Sequence, residues 1–447
     1  MESERFLECL IQTALASGFA DCEVYYRASR HFGVTVLEGE VSDYENSALG
    51  GVCLRGTIGG RTGYAYTERM TEDALTYVVE AAKENAALMP ESEQEILYRP
   101  QEAYPVLEAE NADLEKLTAE EKILAAKKME AAALGKDGSI ASIDYCALDT
   151  DWTEVAICNS YGLSLRHRKN DVTAYVCAIA KNGKEVKTGS HFWKGNNWKN
   201  FSPAATGKKA AAIAAAHLGA IGISSGRYAV VLDGAVMARF LGVFCGVFFA
   251  ENVQKGFSLL AGKQGEKIAA DCVCLRDDPL LAGGYASMPF DSEGVPCRNK
   301  AVIEHGILKT YLYNLKAAKK DGVASTGNGF KSALPAPVKT AATNFYLQKG
   351  ARSQEELLQE MGNGLWITDI TGLHAGANTV SGDFSLSAEG FLVQDGAVGQ
   401  PVEQITIAGN FYELLQRIEE VGSDLYFTSS GNGAPSVRVR QMDIAGK

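Results

Sequence analysis

The sequence predicts an α+β protein of two domains. The first is an N-terminal α/β domain with small antiparallel sheets and helices over residues 1–222, and the second is a C-terminal glycine-rich mixed β-sheet domain with helices over residues 223–447. Short alternating runs recur in both halves, helical stretches lie between them, and beyond residue 224 the chain becomes rich in glycine. A chain of 447 residues can form two cores, because domains usually contain about 100–200 residues.

The N-terminal half predicts strands followed by a helix, twice. After helical periodicity over residues 4–18 come four alternating runs, CEVYYRAS, FGVTVLEGE, GGVCLRGT and GRTGYAYT. Thr71 precedes an acidic first turn and so begins a helix. A charged helix is expected over residues 113–135, and an alanine-rich helix over residues 203–219 follows a second set of strands. We therefore expect a loose structural repeat.

The C-terminal half combines one very apolar helix with hairpins. The helix is predicted from residue 235 to residue 252. The dipeptides His-Gly at 305–306 and Asp-Gly at 395–396 separate strand-like runs, which predicts tight hairpins. Ser353 and Glu356 have the spacing of a capping box and predict the start of another helix.

Composition and charge narrow the function classes. The formal net charge of −12 argues against direct nucleic-acid binding. The N-terminus is acidic where a targeting peptide would be basic, and the longest apolar run, residues 240–250, is shorter than the roughly 20 residues of a membrane span. We therefore expect a cytoplasmic protein that does not enter a membrane.

The ten cysteines include no Cys-x-x-Cys pair. Cys272 and Cys274 alternate on an expected strand, and Cys297 follows nearby. Zinc ligands usually come in tighter pairs, so the pattern favours free thiols in a reducing compartment over a metal site.

Several familiar catalytic motifs are absent from the sequence. There is no Ser-x-x-Lys pair, no Walker-type phosphate loop and no His-Glu-x-x-His helix. The six histidines lie far apart along the chain. Any catalytic site would have to be assembled from distant residues.

Two glycine-rich segments are candidates for contact with an extended peptide. Residues 325–330, STGNGF, form a loop that either turns its N–H groups toward a ligand or is a tight structural loop. Residues 382–391 alternate like a strand with one polar face, which suits strand addition. The candidate peptide-binding residues are Thr326, Gly327, Asn328, Gly329, Asp383 and Ser385.

Four carboxylates lie close together between residues 277 and 293. They are Asp277, Asp278, Asp291 and Glu293. Paired carboxylates can perform acid–base chemistry or hold a cation. Acidic residues beside glycine and proline also form turns, and the pattern favours that interpretation.

The order of motifs resembles the TldD/PmbA family, often labelled modulators of DNA gyrase. The motifs are SLLAGKQGE, SMPFDSEGVP, STGNGF, SGDFSLSAEGFLV, PVEQITIAGNFYELL and PSVRV, and GGVCLRGTIGGRTGYAYTE is similar to the first domain of that family. The resemblance implies a cytoplasmic two-subunit protease for small unfolded peptides, including modified-peptide precursors and antitoxins. TldD-type members carry His-Glu-x-x-x-His on a helix and a cysteine ligand near the C-terminus. PmbA-type members, also called TldE, lack both.

This sequence looks like the branch without the metal ligands. The helical motif would fall at residues 241–246, where no histidine occurs, and the cysteine would fall within residues 427–433, which offer Ser429 and Ser430. The resemblance therefore implies no catalytic, cofactor-binding or metal-binding residue in this chain. On a helix, one face would carry Leu241, Phe244, Cys245, Phe248 and Phe249, and a stripe of small residues would carry Gly242, Gly246 and Ala250.

The sequence is thus interpreted as a metal-free subunit that completes a peptide cleft. Its expected partners are a TldD-type subunit, which would hold the zinc, and a peptide substrate, and a homodimer is expected in isolation. Two alternatives stay open. One is a stand-alone hydrolase that uses the carboxylates of residues 277–293, and the other is a regulatory binding protein of the gyrase-modulator type.

Overall fold

The N-terminal half is built on one six-stranded antiparallel sheet. The structure of the chain is a computed structural model, and it describes residues 2–89, 96–135 and 138–447. The strands are β1 (Asp21–Leu37), β2 (Glu40–Ile58), β3 (Arg61–Thr67), β4 (Ile140–Asn159), β5 (Ser164–Asn182) and β6 (Glu185–Gly195). Their order is β3-β2-β1-β4-β5-β6, which is that of two three-stranded units joined through β1 and β4. This pairing corrects the expectation of separate small sheets.

Helices cover one face of this sheet. They are α1 (Ser3–Ala16), α2 (Glu72–Leu88), α3 (Ala119–Leu134) and α4 (Pro203–Ala216). The start predicted for α3 at residue 113 is wrong, because Thr118 and Glu121 form a capping box that begins the helix at Ala119. The preceding residues Leu114–Lys116 form a separate 3₁₀ turn.

The opposite face of the sheet packs against the C-terminal half. Tyr25, Val155 and Ile157 lie in one buried cluster with Phe290, a residue of the C-terminal half. Side chains along a strand alternate between the two faces, so Val155 and Ile157, two residues apart on β4, both point into this contact. We call this contact the domain seam.

The C-terminal half contains two further six-stranded sheets of mixed direction and a two-stranded ribbon among the described residues. The strands are β7 (Gly226–Leu232), β8 (Leu275–Asp277), β9 (Lys300–Glu304), β10 (Ile307–Leu308), β11 (Gly329–Phe330), β12 (Lys339–Thr340), β13 (Phe345–Leu347), β14 (Gly364–Thr371), β15 (Asp383–Gln394), β16 (Ala397–Asn410), β17 (Ile418–Val421), β18 (Tyr426–Phe427), β19 (Asn432–Ala434) and β20 (Val437–Ala445). One larger sheet has the order β16-β15-β14-β7-β20-β17 and the other β10-β9-β8-β13-β19-β18. The predicted α+β class is confirmed.

The helices of this half are α5 (Gly234–Phe244), α6 (Ala250–Gln254), α7 (Leu315–Asp321), α8 (Gln354–Met361), α9 (Leu373–Gly376) and α10 (Phe411–Arg417). α5 contacts strands of both larger sheets, and its Phe244 stacks on Phe411 with ring centroids 4.5 Å apart. A helix that is buried on all sides is apolar on all sides, which accounts for its composition.

The single helix predicted over residues 235–252 is wrong. α5 ends at Phe244, a 3₁₀ turn covers Cys245–Phe248, and Phe249 is extended. The backbone leaves the helix here because the amide of Ala250 donates to the carbonyl of Leu312 (2.9 Å). The expected stripe of small residues is therefore interrupted.

The two predicted hairpin turns and the predicted capping box are confirmed. His305 and Gly306 both have positive φ, 49° and 78°, and so do Asp395 and Gly396, 49° and 79°, as a type I′ hairpin turn requires. Ser353 forms its capping box at the start of α8. Cys272 and Cys274 are not on a strand, since β8 begins only at Leu275.

The chain passes from one half to the other between α4 and β7. The amide of Ile221 already donates to the carbonyl of Pro401 (2.9 Å), so this residue is attached to the C-terminal half just before the boundary predicted near residue 222. Among the described residues, no helix has both the length and the apolar character that a membrane crossing requires.

We predict that Gly207→Ala destabilises the protein although alanine is the better helix former. Gly207 is buried in α4, where a Cβ would collide with the carbonyl of Met129 and lie 2.9 Å from the amide nitrogen of Ala133 in α3. Forcing the helices apart costs about 1–3 kcal/mol, which outweighs a propensity gain of about 1 kcal/mol. Urea unfolding measures the difference. Lys208→Ala, at the exposed neighbour in the same helix, is the control, and a more stable Gly207→Ala variant would contradict the packing.

Candidate functional site

The two stretches at which the resemblance predicts the zinc-ligand positions of TldD-type proteins lie side by side. α5 contacts β18 and β19, the short strands that flank residues 428–431. A Cβ on Gly242 would lie 3.2 Å from Nδ2 of Asn432. Residues 241–246 and 427–433 thus form one site, which we call the slot.

One wall of the slot is apolar. Leu241 and Phe244 are fully buried in the core. Cys245 donates its thiol to the carbonyl of Gly242 (3.3 Å), and burial raises the pKa of this thiol to about 12. The thiolate, the form that binds metals, is therefore disfavoured at neutral pH.

The other wall of the slot offers hydroxyl and amide groups. Oγ of Ser430 lies 2.9 Å from the Thr428 hydroxyl and accepts a hydrogen bond from Nδ2 of Asn432 (3.0 Å). Protein zinc sites are built from thiolate, imidazole and carboxylate ligands. In the part of the chain that the structure describes, no group of three or more His, Cys, Asp or Glu is placed to hold a metal ion. The residues of the slot do not fit zinc.

The slot borders the domain seam through aromatic contacts. Phe427 packs edge-on against Tyr285 with centroids 6.4 Å apart, and the Lys194 ammonium lies 5.8 Å from the Tyr285 ring. Phe192 packs edge-on against Tyr426 at 6.0 Å. Because Phe192 and Lys194 belong to β6, both domains line this region.

The glycine loop at residues 325–330 uses its own N–H groups inside the protein. The acceptors are the carbonyl of Tyr313 for Thr326 (3.2 Å) and Asn328 (3.4 Å), Oγ of Ser325 for Gly327 (3.2 Å) and Oδ2 of Asp291 for Gly329 (2.8 Å). An added peptide strand would have to displace these bonds. Peptide binding by the loop stays a prediction.

The side chain of Asn328 joins this loop to the buried Asp277. Nδ2 of Asn328 donates to Oδ2 of Asp277 (2.8 Å), and its Oδ1 accepts from Nζ of Lys300 (2.8 Å). Lys300 also pairs with Asp277 at 2.8 Å, and Thr343 donates its amide and its hydroxyl to the same carboxylate. Asp278 accepts from the amide two residues later (3.0 Å). Both carboxylates therefore hold loops in place.

Asp291 and Glu293 lie buried beside the domain seam. Asp291 accepts from the amides of Glu293 and Val295, each at 2.9 Å, as well as from Gly329. Glu293 accepts from the amide of Leu315 (2.8 Å). Burial raises the pKa of Asp291 to about 7, and burial together with the charge of Asp291 raises the pKa of Glu293 to about 8. These contacts fit the turn-forming interpretation of this segment.

The candidate residues on β15 lie at a separate place. Asp383 and Ser385 are exposed on the polar face of the strand, and Asp383 accepts from Nδ2 of Asn410 (2.8 Å) and Oγ of Ser381 (2.7 Å). Within the described ranges, no hydrogen bond or ion pair joins Asp383 or Ser385 to the loop at residues 325–330. Their role in peptide binding stays a prediction.

The sequence analysis missed a group of basic residues at the domain seam. Arg27, His167 and Lys169 line a pocket there together with Lys331. The available signal was the two-residue spacing of His167 and Lys169 on an alternating strand. The neighbours of His167 in the sequence could not show that it lies across β4 from Arg27.

We predict that Asn328→Ala lowers the free energy of unfolding by about 2–4 kcal/mol, because it leaves Asp277 and Lys300 buried with unfilled hydrogen bonds. Urea unfolding measures the loss. Ser385→Ala, at an exposed strand position, is the control and should change stability by no more than about 0.5 kcal/mol. Unchanged stability together with weaker peptide affinity in Asn328→Ala would instead support the peptide-binding interpretation of the loop.

We predict that the stability of the Glu293→Gln variant falls less steeply with rising pH than the stability of the unaltered chain. A buried carboxyl with a raised pKa keeps its proton in the folded state while the unfolded chain ionises, so stability is full below about pH 4.5 and falls toward pH 8. From pH 5 to pH 8, the variant should lose roughly 1–3 kcal/mol less than the unaltered chain in urea unfolding. Glu84→Gln, at an exposed position of α2, should follow the unaltered chain, and equal slopes for all three proteins would refute the prediction.

Comparison with known proteins covers the whole chain. The sequence profiles of three domains match it: PmbA/TldA metallopeptidase domain 1 at residues 22–86, the central domain at residues 112–218 and the C-terminal domain at residues 225–446. The metalloprotease PmbA of Escherichia coli O157:H7 is 27% identical over 453 residues, which cover 100% of this chain and 98% of that protein.

Solved structures agree with this assignment. A Thermotoga maritima protein described as a modulator of a DNA gyrase is 33% identical, with a TM-score of 0.92 over 99% of this chain and 100% of that one. TldE from Thermococcus kodakarensis has a TM-score of 0.91 and 24% identity over 99% of this chain and 100% of that one, a likeness in fold alone. From its matched domains and its full-length relatives, the chain belongs to the PmbA/TldD family of metalloprotease-related proteins.

Proposed function

We propose that the chain is the metal-free, TldE-type subunit of a two-subunit metallopeptidase that acts on small unfolded peptides in the cytoplasm. The observation that carries the proposal is the slot. Its two halves meet where Gly242 faces Asn432, yet they offer a carbonyl-bonded thiol, hydroxyls and an amide in place of zinc ligands. The scaffold of a metal site is kept without its donors.

Hydrolysis is therefore assigned to a partner of the TldD type, which would carry its own zinc ligands. Relatives matched along nearly their whole length are named metalloproteases, which supports a role in peptide hydrolysis. In this arrangement the chain contributes one wall of the peptide-binding cleft. That wall lies at the domain seam, where the slot borders both domains of the chain.

The carboxylates of residues 277–293 weigh against a hydrolase that works alone. Asp277 is fully buried and is bonded to Lys300, Asn328 and Thr343. Asp291 is bonded by three backbone amides. A general base must reach the proton that it abstracts, and these oxygens are held by loop amides and side chains instead.

The thiols support a cytoplasmic location. All ten cysteines are free, and several are buried in the cores of both halves. Buried free thiols are usual in a reducing compartment, whereas secreted proteins tend to pair theirs. The net charge of −12 likewise favours a protein partner over a nucleic acid.

We predict that the purified chain, prepared without a histidine tag, holds less than about 0.1 zinc per chain by mass spectrometry, because the slot lacks donors. Alone it should not cleave a quenched fluorogenic unstructured peptide. Mixed with a TldD-type subunit, it should co-elute as a complex from a sizing column, and cleavage should appear and stop on addition of a chelator.

The matched control is the same mixture with the first histidine of the TldD-type motif replaced by alanine, which should form the complex without cleaving. Stoichiometric zinc with chelator-sensitive cleavage by the chain alone would overturn the proposal. Chelator-resistant cleavage that Asp291→Asn abolishes would support the stand-alone hydrolase. A pull-down that recovers gyrase and no TldD-type subunit would support a regulatory role. Sizing of the chain alone tests the expected homodimer.

A further inference from the structure

A pocket of about 230 Å³ lies in the domain seam, and part of the carboxylate segment, within residues 286–292, belongs to its lining. β1, β4 and β5 line it from the N-terminal side, and segments around residues 286–292, 330–331 and 341–343 line it from the C-terminal side. Its position beside the buried seam cluster means that the packing of the two domains shapes it.

The pocket is basic in an acidic protein. Its lining includes the charged side chains of Arg27, Lys169 and Lys331 together with the imidazole of His167, which burial keeps uncharged at neutral pH, and no aspartate or glutamate is among the described residues that line it. The chain as a whole has a net charge of −12. Such a concentration of positive charge in a concave site attracts anions.

The sheet register brings three of these residues together. Arg27 on β1 lies opposite Val155 on β4, and Val155 lies opposite His167 on β5. Lys169 is two residues further along β5 and so faces the same side. With neighbouring strands about 4.8 Å apart, Arg27 and His167 stand about 10 Å apart along the sheet, and Val155 lies between them on the wall of the pocket.

The basic groups at this wall have few internal partners. His167 is only 7% exposed, and its Nε2 has no hydrogen-bond partner among the described residues. In the same part of the chain neither Arg27 nor Lys169 forms an ion pair. The nearby Asp171, whose charge acts on Lys169, pairs with Lys194 at 3.3 Å. Burial lowers the pKa of His167 to about 4 and also lowers the pKa of Lys169. A bound anion would supply the missing partner.

Lys331 differs from these three because the protein itself holds it. Its Nζ donates to the hydroxyl of Tyr64 (2.7 Å) and to the carbonyl of Ala336 (2.5 Å). It adds charge to the pocket but is a poor anchor. Arg27 and Lys169 are therefore the residues to test.

The remaining lining is mostly apolar and includes Val155, Met288 and Phe330. Inorganic phosphate would leave this surface uncovered, whereas an anion attached to an apolar body would bury it. Ala286 lines the pocket and also packs against the slot, because a Cβ on Gly431 would lie 2.8 Å from that of Ala286. A ligand in the pocket thus lies next to the slot.

We propose that this pocket binds the C-terminal residue of a peptide, with Arg27 and Lys169 holding its free carboxylate and the apolar lining contacting its side chain. The identity of the ligand as a peptide rests on the proposed function. The binding itself requires neither zinc nor a partner subunit, so it is measured on the intact chain alone.

The test uses fluorescence anisotropy of an N-terminally labelled hexapeptide of alanines ending in leucine. We expect the free acid to bind at least about 10-fold more tightly than the same peptide with a C-terminal amide, because a desolvated carboxylate gains charge-assisted hydrogen bonds. Arg27→Gln and Lys169→Gln should each reduce this ratio toward 1. Arg5→Gln and Lys208→Gln, at exposed positions of the same domain, should leave it unchanged.

Two further probes identify the source of the anion. An amidated peptide with an internal glutamate should bind like the plain amide, and inorganic phosphate should compete poorly. Equal affinity for acid and amide would overturn the proposal, as would full recovery of affinity by the internal glutamate or displacement by phosphate at submillimolar concentration. Circular dichroism and thermal melting check that each variant is folded, and a ratio unchanged in folded Arg27→Lys but lost in Arg27→Gln would support the anchoring role.

The outcomes are separable from those of the proposed function. If the free-acid and amidated peptides bind equally well to a chain that still activates a TldD-type subunit, only the proposed pocket is refuted. If their affinities differ but the chain never pairs with such a subunit, the subunit role is refuted and the pocket stands.

Discussion

The antiparallel pairing of β1 with β4 is the constraint on which the molecule depends. The two strands stay in register from Glu23 opposite Asn159 to Thr35 opposite Ala147, and this pairing joins two three-stranded units into one sheet. Because side chains alternate along each strand, the sheet has one face for its helices and one for the C-terminal half. The domain seam and the basic pocket both follow from the second face.

Under the proposed function, the C-terminal half keeps the architecture of a metal site without its ligands. α5 is buried between two sheets, and the stacking of Phe244 on Phe411 helps to hold it there. The same packing keeps Gly242 against Asn432, so the two halves of the slot stay adjacent although neither offers zinc ligands. Packing alone accounts for the helix, and its position beside residues 427–433 is what suggests a relation to metal-binding members of the family.

The buried carboxylates could act as acids or bases, but hydrogen bonds within the protein already occupy their oxygens. Asp277, Asp291 and Glu293 are acidic groups close in sequence, but their oxygens accept hydrogen bonds from loop amides and from Asn328. They connect the glycine loop at residues 325–330 to the core. Their raised pKa values, where burial produces them, affect stability more directly than catalysis.

Local chemistry in the sequence was enough to determine the hairpins at 305–306 and 395–396, the capping box at Ser353, the α+β class and the family. Each of these depends on neighbouring residues or on the order of motifs. Tertiary structure decided the rest. The break after Phe244 comes from a backbone bond to Leu312, the single sheet comes from β1 meeting β4, and the basic pocket comes from strands far apart in the chain. These features depend on contacts between distant segments, and periodicity along one segment carries no information about which distant segment it will meet.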